Sequence, residues 1–366
     1  MDSRTQPMAD NASTPHPKDA SQLEEAPYGE VVGSFFGLIE GFMRGHVLRT
    51  GLELGVFEAL ADEPRAASEL AEELGLEPEY AYRLLRALAS TDFVTERPER
   101  SFSLTPLGRY LKLGHPDSIG DGIRFWFNPK LEAAWSHLPT IIAEGLPDGF
   151  EREFGATMWE YFEKDDELGS QFHHLMSALR DRRTAAVTEM LADYDFGASS
   201  HVCDVGGGHG HMLCHLLDAH PHLKGTVLDL PGVIEQRDRR WAQKLGVEDR
   251  CTYQTGDMLE GVPRADAYFL QGILNSVPEA DAIEVLSNIR ESASRGARVF
   301  IIEPMIPEST EPDPTKLIDI QLMITTGGRS RTPAEYKPIL QRSGLEYVRS
   351  HSPEETQFSM VEASRP

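Results

Sequence analysis

Residues 202–210 read Val-Cys-Asp-Val-Gly-Gly-Gly-His-Gly. A short apolar run, an acid and a cluster of glycines precede a helical pattern, which restricts this part of the chain to a strand, a tight turn and a helix. Glycine has no Cβ and tolerates positive φ, so backbone in such a turn can approach a ligand closely. The helix that follows points its N-terminal N–H groups at the same place. The stretch therefore points to a nucleotide-like cofactor held by an α/β fold.

Spacing narrows the choice of cofactor. The dinucleotide fingerprint is G-x-G-x-x-G with an acid about 20 positions later. Counted from Gly206, its third glycine would fall on 211, which is His. The spacing here is G-x-G-x-G, with Asp204 ahead of it. Asp229 closes the next apolar run, and an acid at the tip of a second strand suits the two hydroxyls of a ribose. Asp257 follows a third segment in Thr255-Gly256-Asp257-Met258. It can accept from an adenine amino group while Met258 packs on the ring face. Acids after three consecutive strand candidates carry more weight than the glycines alone, which often mark a simple strand–helix connection.

From Ser199 onward, apolar runs at 201–205, 225–230, 251–253, 266–270 and 298–303 alternate with helical patterns. That alternation predicts a parallel α/β sheet, closed by hairpin strands at 344–349 and 357–363. Upstream, residues 30–61 carry helical periodicity, with Val32, Phe35, Phe36, Ile39, Phe42 and Met43 on one broad face that calls for a partner chain. Residues 65–112 read helix, turn, helix, hairpin, which is a winged-helix pattern. A winged helix invites a DNA-binding reading, but residues 51–112 hold seven Lys and Arg against twelve Asp and Glu. The electrostatic footprint for nucleic acid is missing, and the whole chain carries a net charge of −24. Arg83 and Arg86 read as a solvated face. Residues 118–195 are helical and aromatic.

No apolar run reaches the roughly 18 residues of a membrane span. The polar segment at the N-terminus reads as a disordered tail without a signal-peptide core. Cys203, Cys214 and Cys251 show no paired or metal-type spacing, which fits a reducing cytoplasm. His211 and His215 share a helix face, but no carboxylate motif accompanies the histidines at 209–222, so no metal is expected.

Asp204-Val-Gly-Gly-Gly-His-Gly210, Asp229-Leu-Pro231, Gly256-Asp257-Met258 and Gly327-Gly-Arg-Ser-Arg-Thr332 together resemble the S-adenosylmethionine-dependent small-molecule O-methyltransferases of plant phenolic and bacterial polyketide pathways. The resemblance runs from about residue 30 to the C-terminus. It implies a Rossmann-like catalytic domain, mostly parallel with a C-terminal antiparallel hairpin, preceded by a winged-helix dimerisation domain. The expected division is a tail at 1–27, the dimerisation domain at 28–117, a helical substrate-lining region at 118–195 and the cofactor domain at 196–366. The cofactor would be S-adenosylmethionine, leaving S-adenosylhomocysteine, and the partners a second copy and an aromatic small molecule. Asp204, Gly206, Gly208, Asp229, Leu230, Asp257, Met258 and Gln271 would bind the cofactor. Trp159, Phe162, Phe172, Met176, Asn275, Met323 and Arg329 would touch the substrate.

Plant members place a catalytic His after the fourth sheet strand. The matching segment here is Phe269-Leu-Gln-Gly-Ile-Leu-Asn-Ser-Val277, so that position is Asn275, which takes no proton at neutral pH. The neighbouring acid is Ser276. Of the two glutamates that flank that His, one survives as Glu303 and the other is Ser330. Some bacterial polyketide-tailoring members also carry Leu-Asn here. Methyl transfer by proximity is therefore the leading reading, with Asn275 and Glu303 as the expected catalytic pair. The alternatives are a tailoring enzyme that keeps the cofactor without transferring methyl (a hydroxylation, decarboxylation or pericyclic step), a silent partner, and more remotely a winged-helix regulator. Arg329 is the expected substrate anchor of its segment, and Arg331 reads as surface charge. His46, His137 and His173 are candidates for a displaced base.

Overall fold

A computed structural model describes residues 26–60, 63–162, 164–191, 194–236, 240–353 and 356–366. The expected tail at 1–27 lies outside them, save for its last two residues.

Strands β1 (Arg65–Ala66), β2 (Val94–Arg97) and β3 (Ser101–Leu104) form a small antiparallel sheet in the order β1-β3-β2. The helices Ala67–Leu74 and Pro78–Leu88 lie between its first and second strands, which completes the winged-helix pattern. Their ends follow from local chemistry. Gly75 takes φ 65° and stops the first helix. Glu77 caps the second by accepting from the N–H groups of Glu79 and Tyr80, with Pro78 pre-set for the first helical position. The helix expected over 30–61 is shorter than the periodicity implies. It spans Tyr28–Glu53, because Gly55 at φ 73° turns the chain before a short second helix, Val56–Ala59. Its C-terminal half packs against residues 120–127: a Cβ on Gly45 would lie 1.9 Å from the Phe127 ring.

The large sheet contains β4 (His201–Val205), β5 (Lys224–Asp229), β6 (Cys251–Thr255), β7 (Ala267–Gln271), β8 (Arg298–Pro304), β9 (Glu346–His351) and β10 (Phe358–Ser364). Its order is β6-β5-β4-β7-β8-β10-β9. The strands up to β8 are parallel, and β10 runs antiparallel between β8 and β9. Successive residues feed opposite cores. Val299 and Ile301 join one buried cluster and Phe300 and Ile302 the other, as the period of two demands of strands covered on both faces. This is why these strands read as unbroken apolar runs. The chain winds outward from β4 to β6, then returns to lay β7 on the other side of β4. That reversal leaves a crevice beyond the carboxyl ends of β4 and β7, where open α/β sheets bind ligands.

Candidate active site

Each glycine of the turn after β4 has its own reason. Gly206 takes φ 69°, donates its N–H to Leu228 O at 2.8 Å, and a Cβ there would meet Ile273 at 2.4 Å. Gly208, at φ 59°, would point a Cβ into open space, and its N–H binds the Asp229 carboxylate at 2.7 Å. Gly210, at φ 79°, caps the helix His211–Ala219. A second N–H, from Leu230, reaches Asp229 at 2.8 Å. Burial raises the Asp229 carboxyl above its ordinary range, and these two N–H groups oppose that rise. A carboxylate has about four lone-pair sites, so Asp229 keeps acceptor capacity for a diol.

The other strand ends join this edge. Gly256 N–H bonds Asp229 O at 3.0 Å, which brings the end of β6, and with it Asp257 and Met258, beside the end of β5. Asp257 accepts from Leu259 N–H at 2.8 Å, and Met258 packs on the sheet core. Leu230 stands 46% exposed, an apolar side chain left uncovered at the crevice. At the end of β7, Gln271 has a buried amide nitrogen with no hydrogen-bond partner, and buried donors in folded proteins are normally satisfied. Asp204 sits elsewhere: it is buried beneath the turn, where a Cβ on Gly207 would lie 2.5 Å from its carboxylate. Burial and the Asp229 charge push its carboxyl well up. Its side chain lies under the turn with 2% of its surface exposed.

Asn275 lies on the single 3-10 turn Leu274–Ser276 directly after β7. It is 5% exposed, and its amide oxygen accepts from Ser276 Oγ at 3.2 Å. Its N–H donates to Glu303 at 3.2 Å, and its carbonyl accepts from Arg329 N–H at 2.9 Å. Glu303 has no exposed surface and also accepts from the Tyr336 hydroxyl. Burial lifts its carboxyl to about 8, against the pull of the Asn275 N–H and the Arg331 charge. Glu303 thus supports Asn275 from a fully buried position.

The two arginines of the 327–332 segment exchange the places expected for them. Arg331 is not surface charge: it is 1% exposed, and its Nη1 donates to Leu274 O and Arg329 O at 3.2 and 3.1 Å. Arg329 is the exposed one, ion-paired to Glu335 at 2.7 Å with Glu279 beyond. Those carboxylates hold its guanidinium at the surface. The neighbouring Ser330 is buried with its hydroxyl unpartnered.

Trp159, Phe162, Phe172, Met176 and Met323 all fall in one partly buried cluster. The three aromatic rings touch pairwise, with centroids 5.3–5.7 Å apart. Met323 lies on the helix Thr315–Thr325, and Asp319 of that helix accepts from Ser330 N–H at 2.7 Å. One helix thereby connects the aromatic cluster to the segment that holds Asn275. His173 stacks edge-on against Phe162 and Phe172, whereas His46 and His137 pair with Glu132 and Glu153. His211 bonds Thr184 and packs on Trp241. Among the described residues, no group of three or more His, Cys, Asp and Glu could hold a metal ion.

Tyr336 and Tyr253 are absent from the sequence expectations, and Arg331 enters them only as surface charge. An arginine between two polar residues reads as surface in one dimension, and neither tyrosine stands in a recognisable pattern.

Residues 135–346 match the O-methyltransferase domain family, and residues 36–112 the O-methyltransferase dimerisation domain. The chain is 30% identical to O-demethylpuromycin-O-methyltransferase of Streptomyces alboniger, over 97% of this chain and 96% of that protein. The mitomycin 7-O-methyltransferase MmcR superposes with a TM-score of 0.83 at 27% identity, covering 93% of this chain and 99% of MmcR. The O-methyltransferase NcsB1 from neocarzinostatin biosynthesis, solved with S-adenosylmethionine and 2-hydroxy-5-methyl naphthoic acid, superposes with a TM-score of 0.73 at 28% identity, covering 88% of this chain and 96% of NcsB1.

Proposed function

The chain belongs to the O-methyltransferase family, and from that premise we propose that it methylates a hydroxyl of an acidic phenol or enol on an aromatic, polyketide-like small molecule, by positioning without a protein base. It is an S-adenosylmethionine-dependent O-methyltransferase. One observation supports the mechanism: Asn275, the residue that the resemblance sets at the family's base position, has no titratable group, and the carboxyl that takes its N–H, Glu303, is fully buried.

The crevice fits the cofactor. Asp229 keeps free acceptor sites for the ribose, and Asp257 and Met258 lie at the adjoining strand end for the adenine. Leu230 offers an uncovered apolar face, and Gly206 and Gly208 leave room for the methionine part. The unpartnered Gln271 amide nitrogen is a donor aimed at no protein atom. When bound, the cofactor supplies an electrophilic methyl group on a positively charged sulfur.

Ser276 holds the Asn275 amide oxygen, so the amide N–H₂ is the end left for an acceptor oxygen. A donor stabilises an ionised acceptor over a neutral hydroxyl. The acceptor proton is lost to solvent, and the site orients the resulting oxyanion. Trp159, Phe162, Phe172, Met176 and Met323 clamp a flat ring and exclude water. Orientation of this kind can supply about 7–11 kcal/mol of a barrier. The exposed apolar face of the helix Tyr28–Glu53 pairs two copies into a homodimer, and the free, buried cysteines suit a cytoplasmic enzyme.

The test uses methyl-labelled S-adenosylmethionine with hydroxynaphthoic acids of graded acidity, starting from 2-hydroxy-5-methyl naphthoic acid. The rising limb of the pH–rate profile should move with the acceptor's own ionisation. A break at one fixed pH for every acceptor would overturn the mechanism, and products without label would overturn methyl transfer. Asn275→Ala should lower kcat by about tenfold or less; a loss near 10⁴-fold would assign it direct chemistry.

A further inference from the structure

A turn that must aim an amide at a reacting oxygen needs its backbone held, and the turn Leu274–Ser276 is held by a buried carboxyl and a buried guanidinium. Glu303 takes the Asn275 N–H, and Arg331 gives Nη1 to the Leu274 carbonyl. The segment carrying Arg331 also presses against the turn. Arg329 N–H bonds Asn275 O, and a Cβ on Gly328 would lie 2.2 Å from that same oxygen. Tyr336 closes the group, with its hydroxyl on Glu303 and the Arg331 guanidinium 5.8 Å from its ring centroid.

Stability alone does not account for this arrangement. Burying a guanidinium carries a large desolvation penalty, and an apolar side chain of similar volume is often at least as stabilising. Arg331 also leaves Nε and Nη2 buried without partners, so its burial is incompletely compensated. What it does contribute is a direct bond to the residue before Asn275 and a charge beside the carboxyl that holds Asn275 itself.

We propose that Arg331 is a positioning residue for methyl transfer, assisted by Tyr336 acting through Glu303: together they lock the Leu274–Asn275 backbone so that the Asn275 amide meets the acceptor oxygen. This rests on the methyl-transfer reading above. Arg331 touches neither substrate nor cofactor, and its effect passes through Asn275 alone.

The chain has four asparagines, at 11, 128, 275 and 288, so selective ¹⁵N-asparagine labelling gives a sparse spectrum. In full-length protein saturated with S-adenosylhomocysteine, Arg331→Met and Tyr336→Phe should shift or broaden the Asn275 backbone and side-chain signals. Those of Asn128 and Asn288 should stay in place, which reports an intact fold, and Arg331→Lys should restore part of the Asn275 pattern. With 2-hydroxy-5-methyl naphthoic acid as acceptor, Arg331→Met should lower kcat about as far as Asn275→Ala does, while S-adenosylhomocysteine affinity changes less than about threefold. In the Asn275→Ala background it should cost less than about twofold more, because residues acting through one another are not additive. Unmoved Asn275 signals, or losses that multiply in the double variant, would overturn the proposal. If wild-type protein transfers no methyl, the methyl-transfer reading fails, and the Asn275 spectra still decide whether Arg331 holds the turn.

Discussion

Glu303 is the last residue but one of β8 and has no exposed surface, and burial lifts its carboxyl to about 8 from an ordinary 4.5. A folded-state value raised in this way means that the native protein keeps the proton while the unfolded chain has already lost it. Its contribution to stability is fully present below about pH 4.5 and is lost as pH rises through about 8. Glu303→Gln copies the protonated state in shape and charge. The difference in melting temperature, wild type minus variant, should therefore fall steadily from pH 5 to pH 8 and then level off. A difference that stays flat across that range would show that Glu303 is ionised throughout. The same residues mark where sequence reading stops. Glu303 could be assigned to its strand end because the apolar run before it was unbroken. Arg331 could not be placed: its partner Leu274 lies 57 positions away, and nothing in Gly-Gly-Arg-Ser-Arg separates a buried guanidinium from an exposed one.

The turn after β4 is held by an element that no motif announces. Tyr253 of β6 donates its hydroxyl hydrogen to His209 O at 2.8 Å and accepts from the N–H groups of Trp241 and Ala242 at 3.2 and 3.3 Å. The same hydroxyl fills the space where a Cβ on Gly210 would stand, 2.7 Å away. Tyr253→Phe strips these bonds and leaves His209 O without this donor. Losing one such hydrogen bond costs about 0.5–1.5 kcal/mol. S-adenosylhomocysteine should then bind up to about tenfold more weakly by calorimetry, with the fold intact by circular dichroism. An unchanged affinity would show that the turn holds its shape without Tyr253. The turn was legible because only glycine suits its positive φ values. The central strands β4, β7 and β8 were legible because strands covered on both faces read as near-continuous apolar runs. The expectation of a helix over 30–61 overextends it because periodicity registers an apolar face and not the positive φ at Gly55 that ends it.

Over the whole molecule, two forces oppose each other at the N-terminal helix. Tyr28, Val31, Phe35, Leu38 and Phe42 recur at helical spacing and are 53–82% exposed, with Phe36 and Met43 beside them. The residues this helix buries, Gly45, Leu48, Gly51 and Leu52, all lie in its other half. Such an apolar stripe drives association roughly in proportion to the area it removes from water, and the dimerisation family match begins within it, at residue 36. Against this, each chain carries a net charge of −24, so two copies repel at long range. Salt screens that repulsion over a Debye length of about 30 Å at 0.01 M and about 8 Å at 0.15 M, and it leaves the apolar contact largely intact. Raising sodium chloride from 0.01 to 0.15 M should therefore tighten the dimer, as measured by sedimentation at low micromolar protein. An interface built on ion pairs would loosen instead. Phe35→Glu with Phe42→Glu adds charge to the stripe and should give monomers at both salt concentrations. Both side chains are exposed in the single chain, so its melting temperature at high dilution should change little. Dimers that persist in this double variant, or that weaken with added salt in the wild type, would place the contact elsewhere on the molecule.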